Sequence, residues 1–270
     1  MLRWIIAMAI VAGCLGSAQA QGVNMPAKGS ELRGALQRLD GFAVPQRRVG
    51  FVSPVPINDT VPYMFYGAFR ERVMLVMQAL SLRSYDVESA RTALNDLDQA
   101  LAGIKKRGAE MIVVGGSVLS FAYDRPTLLA RLKAASDKLG VPVTTDMEAT
   151  VQTMQRAGVR KVAVAHRLSG LDNKALTDYL VAAGFTVEGI VGPSVPGSTA
   201  QGETAIFTEL GMTAGRNYPA ADCILFLGGS TINYPYLAAI QRGTGKAVFN
   251  NTMGLIDYVD AWLSGAPKRD

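Results

Sequence analysis

Thiols and imidazoles are scarce in this chain. Its 270 residues include two cysteines, Cys14 and Cys223, and one histidine, His166. Trimmed of its first twenty residues, the chain keeps a single cysteine and can form no internal disulfide. Cys223 opens the apolar run CILFL, where a thiol reads as a small buried hydrophobe. His166 is the one side chain whose ordinary titration lies near neutral pH. Clustered charge of one sign is also missing: 27 basic and 22 acidic residues are scattered to a net +5. That leaves no basic stripe to follow a nucleic-acid backbone, while a mildly basic balance suits small anionic substrates. The apolar run from Trp4 to Gly13 is too short to span a bilayer, so no integral membrane span is expected there.

What the first twenty residues do contain is an address. MLRWIIAMAIVAGCLGSAQA places Arg3 before the apolar run and small residues Ala18 and Ala20 around Gln19, the layout of a secretory signal peptide. The expectation is cleavage after Ala20 and export to the periplasm or beyond. VAGC at 11–14 also resembles a lipoprotein box, and the alternative reading leaves a lipid anchor on Cys14. About 250 residues would remain, enough for one large or two medium cores.

Residues 21–47 read as a polar N-terminal arm, with a short helix over SELRGALQRL. From Arg48 onward the apolar pattern is regular. Strands are predicted at 48–52, 72–80, 110–114 and 141–145, with helices over 87–108 and 126–140. The order then restarts. Helices at 147–158, 172–184, 204–215 and 234–243 alternate with strands at 160–165, 185–191, 223–227 and 246–250, and a closing helix covers 254–265. Alternation of this kind means βαβ units and parallel sheets. The predicted fold is α/β, with two similar Rossmann-like halves of four strands each. Residues 48–146 with 251–270 form the first half and 147–250 the second.

An internal repeat supports two halves. MIVVGGSVLSF (111–121) and CILFLGGSTIN (223–233) both end an apolar run in Gly-Gly-Ser, and 229 − 116 = 113. RVGFV at 48–52 maps onto KVAVA at 161–165 with the same offset, as does Asp59 onto Asp172, while the last strand drifts. Ligands of open α/β sheets bind beyond the carboxyl ends of the strands. Loops 53–60, 115–121, 166–173 and 228–235 would therefore enclose one cleft between the halves. Glycines followed by hydroxyl residues leave backbone N–H groups suited to a carboxylate or oxyanion, although Gly-Gly-Ser also makes an ordinary tight turn. Asp59 and Asp172 read as helix caps.

GAEMIVVGGSVLSF followed by LGVPVTTDMEATVQTMQRAGVRKVAVA resembles the arylmalonate decarboxylase and maleate cis–trans isomerase branch of the aspartate/glutamate racemase superfamily. The resemblance implies a site between pseudo-twofold-related halves, no cofactor, no metal, and an enediolate beside a carboxylate. It also implies a cysteine in each third-strand loop for the racemases, and in the second loop alone, as proton donor, for the decarboxylase, which has glycine at the first. Those positions fall here on Gly116 and on Gly229, or Gly228 if the alignment slips by one. Cysteine cycles between acid and base with a modest pKa shift, and glycine can do neither. Ser117 and Ser230 then become candidate oxyanion donors, with Thr231 in the same turn. Asn58 and Asn173 match carboxylate-binding asparagines, Leu119 matches an apolar wall, and Leu168 stands where a tyrosine is expected. His166, or one of Tyr63, Tyr66 and Tyr123, is left as the candidate proton donor.

Two functions follow from this reading. One is an exported, cofactor-independent lyase or isomerase acting on a small mono- or dicarboxylate, most like a malonate-type decarboxylase but without the family thiols. The alternative is a non-catalytic periplasmic carboxylate-binding protein that keeps the cleft alone. The ligand in both is a small carboxylate, and the family resemblance leaves room for a homo-oligomer.

Overall fold

The computed structural model describes residues 45, 47–168, 170–192, 200–228 and 234–265. The leader, Cys14 and the helix expected over SELRGALQRL lie outside the described residues, as do Gly229, Ser230 and Thr231.

The first half runs β1 (Arg47–Ser53), α1 (Thr60–Phe69), β2 (Val73–Ala79), α2 (Val87–Ala93), α3 (Leu97–Lys106), β3 (Met111–Val114), α4 (Ser117–Ser120), α5 (Arg125–Leu139) and β4 (Val143–Thr145). After α6 (Asp146–Arg156), the second half runs β5 (Lys161–His166), α7 (Asn173–Ala182), β6 (Thr186–Val191), α8 (Ala200–Asn217), β7 (Cys223–Leu227), α9 (Tyr234–Thr244) and β8 (Ala247–Asn250). The chain closes with α10 (Asn251–Leu263). The strands form two four-stranded sheets, ordered β2-β1-β3-β4 and β6-β5-β7-β8, and every pairing is parallel. The α/β architecture of two similar halves is therefore present.

Three helical details differ from the sequence pattern, the first being the short α4 within the loop expected at 115–121. Helix α1 was not expected, because Pro62 and Gly67 interrupt TVPYMFYGAF. Pro62 sits in the first turn, where its missing N–H costs nothing, and Val61, Met64, Phe65 and Phe69 are buried at helical spacing. The helix expected over 87–108 is divided by a 3-10 turn at Leu94–Asp96, where Asn95 and Asp96 are poor helix formers.

Sheet register refines the repeat. Val49 lies opposite Met111 in the first sheet and Val162 opposite Cys223 in the second. The first-strand offset is thus 162 − 49 = 113, and the third-strand offset is 223 − 111 = 112. One acidic residue before each third strand makes the same bracket. Glu110 donates its N–H to the Arg48 carbonyl and accepts from the Arg48 N–H, while Asp222 does both with Lys161. The two halves are built alike down to these backbone contacts.

Alternation along the strands separates the cores. Val52, Ile112, Val114, Val162, Val164, Cys223 and Leu225 join one central cluster shared by both halves. The opposite faces of β1 and β3 (Val49, Phe51, Met111, Val113) pack with Phe65 of α1 and with Leu255, Tyr258 and Val259 of α10. Ala163, Ala165, Ile224 and Phe226 face Phe207, Tyr236 and Ile240 of the second half. Helix α10 follows the last strand of the second sheet and buries its apolar residues on the first, which stitches the halves together.

One contact sets this crossing and another fixes α6 from its flank. In α10, a Cβ on Gly254 would lie 2.2 Å from Thr150 Oγ1 and 2.6 Å from Thr150 Cα, so α10 meets α6 too closely for any side chain there. On the flank, the Arg125 guanidinium of α5 binds both carboxylate oxygens of buried Glu148 (2.7 and 2.8 Å), and Tyr179 of α7 donates to Glu148 Oε1 at 2.5 Å. Gly254→Ala should lower stability by about 1–3 kcal/mol, although alanine is the better helix former, because the crossing must spread. Arg125→Met should cost more, about 3 kcal/mol, since it strands a buried carboxylate. Urea melts of the two variants against the parent measure both; a stabilised Gly254→Ala would contradict the close crossing.

Candidate active site

The cleft opens at the carboxyl ends of β1, β3, β4, β5, β7 and β8. Phe51, Pro54, Asn58, Gly116, Ser117 and Val118 line it from the first half, Leu168 and Gly228 from the second, and Asn251 and Thr252 from the start of α10. Each turn has a local reason. Gly116 adopts φ 98° and Gly228 φ 121°, a region glycine enters at little cost. A Cβ on Gly116 would also lie 2.8 Å from Cβ and Cγ of Pro54, so this loop resists a side chain twice over. With the third strands offset by 112, Gly116 corresponds to Gly228, and both carry the positive φ.

The floor of the cleft holds a residue that the sequence reading passed over. Thr145 ends β4 and caps α6, its hydroxyl accepting from the Glu148 N–H at 3.0 Å. Asp146, the first residue of that helix, is buried and lines the cleft. Its Oδ2 accepts from the Gly116 N–H at 2.8 Å and from Asn251 Nδ2 at 2.7 Å. Oδ1 has no hydrogen-bond partner, and neither has Asn251 Oδ1. Burial pushes the Asp146 carboxyl up to about 6, and the hydrogen bonds from Asn251 and Gly116 pull it back only in part. A carboxyl poised near neutrality in a cleft can give and take a proton.

The second half supplies the counterpart. Asn250 ends β8 and caps α10, accepting from the Met253 N–H at 2.8 Å, as Thr145 does for α6. Asn251 then occupies the place of Asp146, with an offset of 251 − 146 = 105 that carries the drift of the last strand. The two matching residues meet across the pseudo-twofold axis.

The residues singled out from the sequence divide. Gly116, Ser117, Asn58 and Gly228 reach the cleft wall. Asn58 donates weakly to Ser53 Oγ (3.3 Å) and accepts from the Val61 N–H (3.3 Å), so its amide also shapes the first loop. Leu119 and Val118 both join the central core, and of the two it is Val118 that also lines the cleft as an apolar wall. His166 is not among the residues lining the cleft. Its Nδ1 accepts from the Leu168 N–H (3.2 Å) and its Nε2 pairs with Asn173 Oδ1 (2.9 Å), so both nitrogens are occupied and Asn173 is engaged away from the cleft. Burial lowers the His166 pKa below its ordinary value, and the hydrogen bonds with Asn173 and Leu168 oppose this. Tyr63 is exposed, Tyr66 accepts from the Leu75 N–H, and Tyr123 lies beneath Arg131; Tyr85 is the tyrosine among the residues lining the cleft. Asp172 caps α7 as expected, whereas Asp59 makes no side-chain cap on α1.

Arg167 stands beside Gly228 without being among the residues that line the cleft. Its Cγ and Nε lie 3.2 and 3.4 Å from where a Gly228 Cβ would stand, and its guanidinium sits 5.5 Å from the centre of the Phe207 ring. Its Nε is buried without a hydrogen-bond partner. Among the described residues no three His, Cys, Asp or Glu side chains gather to hold a metal ion.

Asp146 makes a test independent of any substrate. Its folded pKa is raised, so its stabilising effect is full when protonated at low pH and is lost as pH rises toward the folded value near 6. Above that pH the charge is retained in burial at a cost on the order of 3 kcal/mol. Asp146→Asn should therefore raise the melting temperature at about pH 7.5 and leave it nearly unchanged at about pH 4. A variant destabilised equally at both values would count against a strained carboxylate.

Comparison with known proteins places this geometry. The family model of arylmalonate decarboxylase matches residues 49–262. The arylmalonate decarboxylase of Bordetella bronchiseptica is 24% identical over 197 residues, covering 72% of this chain and 82% of that protein. The structure of unliganded arylmalonate decarboxylase superposes with a TM-score of 0.70 at 21% identity, over 83% of this chain and 95% of that one. A Nocardia farcinica maleate cis–trans isomerase variant, solved with a covalent succinylcysteine intermediate, superposes with a TM-score of 0.67 at 17% identity, over 81% and 93%. Two parallel sheets, paired glycine turns and a cleft between them agree with the match along most of the folded chain: the protein belongs to the arylmalonate decarboxylase family.

Proposed function

We propose that this chain is a cofactor-independent decarboxylase of small malonate-type acids that works through an enediolate in the cleft described above. The observation that carries the reading is a cleft with backbone and hydroxyl groups but, among the described residues, no thiol. A cysteine adduct, as in the Nocardia isomerase, needs a thiolate at the reacting carbon. Here Cys223 opens β7, at the strand end opposite Gly228, and burial pushes its thiol up to about 12. Racemisation would need two such groups. Decarboxylation asks for neither, because loss of carbon dioxide itself leaves the electron pair that forms the enediolate. We read Gly116, and Gly228 or Gly229, as standing where the superfamily carries its cysteines.

The rest of the cleft supports an anionic substrate. Arg167 is the positive charge near Gly228, with its guanidinium over the Phe207 ring. Ser117 offers a hydroxyl at the cleft wall, while Val118, Phe51 and Leu255 provide apolar surface for a leaving carboxylate. The leader-like composition of residues 1–20 supports exported activity.

Carbon dioxide release from phenylmalonate and fumarate formation from maleate separate the possibilities. The first should proceed and the second should not. A protein that is thermally stabilised by phenylmalonate yet releases no carbon dioxide would be the carboxylate-binding alternative, and the lyase reading would fall.

A further inference from the structure

We propose that Asp146 is the proton carrier of this cleft, taking up a proton when a carboxylate ligand enters and delivering it from Oδ1 to the substrate α-carbon. The inference rests on the decarboxylase reading for its last step, and on the geometry of Asp146 for the rest. Its carboxyl is oriented by two donors on Oδ2, leaving Oδ1 as the unengaged oxygen of a cleft-lining residue. The Gly116 N–H that holds it belongs to the first third-strand loop, and Gly228 of the second, thiol-less loop lines the same cleft, so the carboxyl shares a cavity with the place where the decarboxylase acid is missing.

No charged partner competes for it. Helix α4, β4 and β8 carry no ionisable side chain. On α6 itself Glu148 is tied to Arg125, and Arg156 to Asp257 of α10; Tyr258 and Asp260 lie about two turns or more along α10 from Asn251. In the adjoining loops stand Asp59, Arg83, Tyr85, Asp86, Arg167 and Asp172, and His166 ends β5. Burial already holds the Asp146 carboxyl near 6, and an arriving carboxylate repels its charge and favours the protonated form further.

The step balances. The bond between the α-carbon and one carboxylate breaks, carbon dioxide leaves, and its bonding electrons enter the remaining carboxylate as an enediolate. The O–H bond of Asp146 then breaks, its proton forms the new C–H bond, and its electrons stay on Oδ1. Solvent returns a proton before the next turnover.

The test compares the full protein with Asp146→Asn, using phenylmalonate for turnover and phenylacetate for binding. Carbon dioxide release should fall by at least about 100-fold in the variant, with phenylacetate binding retained. In the parent protein, phenylacetate affinity should weaken as pH rises from about 5 to 8, and in Asp146→Asn it should stay flat. An Asp146→Asn protein that turns over at the parental rate overturns the proposal. If the parent releases no carbon dioxide, the decarboxylase reading has failed, and binding alone judges Asp146. Equally flat pH dependence in both proteins, or no binding by either, then overturns the proposal as well.

Discussion

Burial of the Asp146 carboxyl between the first turns of α6 and α10 is the constraint around which the cleft is organised. Its two hydrogen bonds, from Gly116 and from Asn251, tie the end of the first sheet to the helix that leaves the second. That bridge requires the two helices to start side by side, and Gly254 against Thr150 lets them do so. The Arg125–Glu148–Tyr179 network fixes α6 from its other flank. Position and protonation of one acid thus depend on contacts drawn from most of the molecule. Such a carboxyl is costly to bury, and a cost retained in a cleft is characteristic of a functional group rather than a structural one.

Pseudo-symmetry gives the site its form, and departures from symmetry give it chemistry. Matching glycines at 116 and 228 turn the chain with positive φ on both sides. Matching caps at Thr145 and Asn250 start matching helices. At the next position the halves diverge into Asp146 and Asn251, one ionisable and one not. A pair of carboxylates at this distance would share a proton and resist joint ionisation, whereas an amide donates to its partner and leaves a single titrating group. His166 shows the opposite outcome. It occupies a strand end that faces the cleft edge, yet a backbone N–H and an asparagine engage its ring, and it serves the loop instead.

Much of this protein follows from sequence pattern. Alternating apolar strands and amphipathic helices, repeated once, determine two parallel sheets, because each strand type and each crossover allows little else. The glycine turns at 115–116 and 228–229 and the absence of cysteine there are equally legible, as is a cleft at the carboxyl edge. Helix α1 was hidden because Pro62 and Gly67 mask a periodicity that burial later exposes. Asp146 was hidden for a different reason. At a strand-to-helix junction an aspartate reads as an ordinary first-turn acid, and nothing local marks it as buried. Only the return of α10 from a hundred residues away covers it and supplies Asn251, and only the sheet register, one residue short of the sequence repeat, pairs Gly116 with Gly228. Local pattern determined which elements form and where a ligand enters. Long-range packing decided which carboxyl loses its water, and so which group can carry a proton.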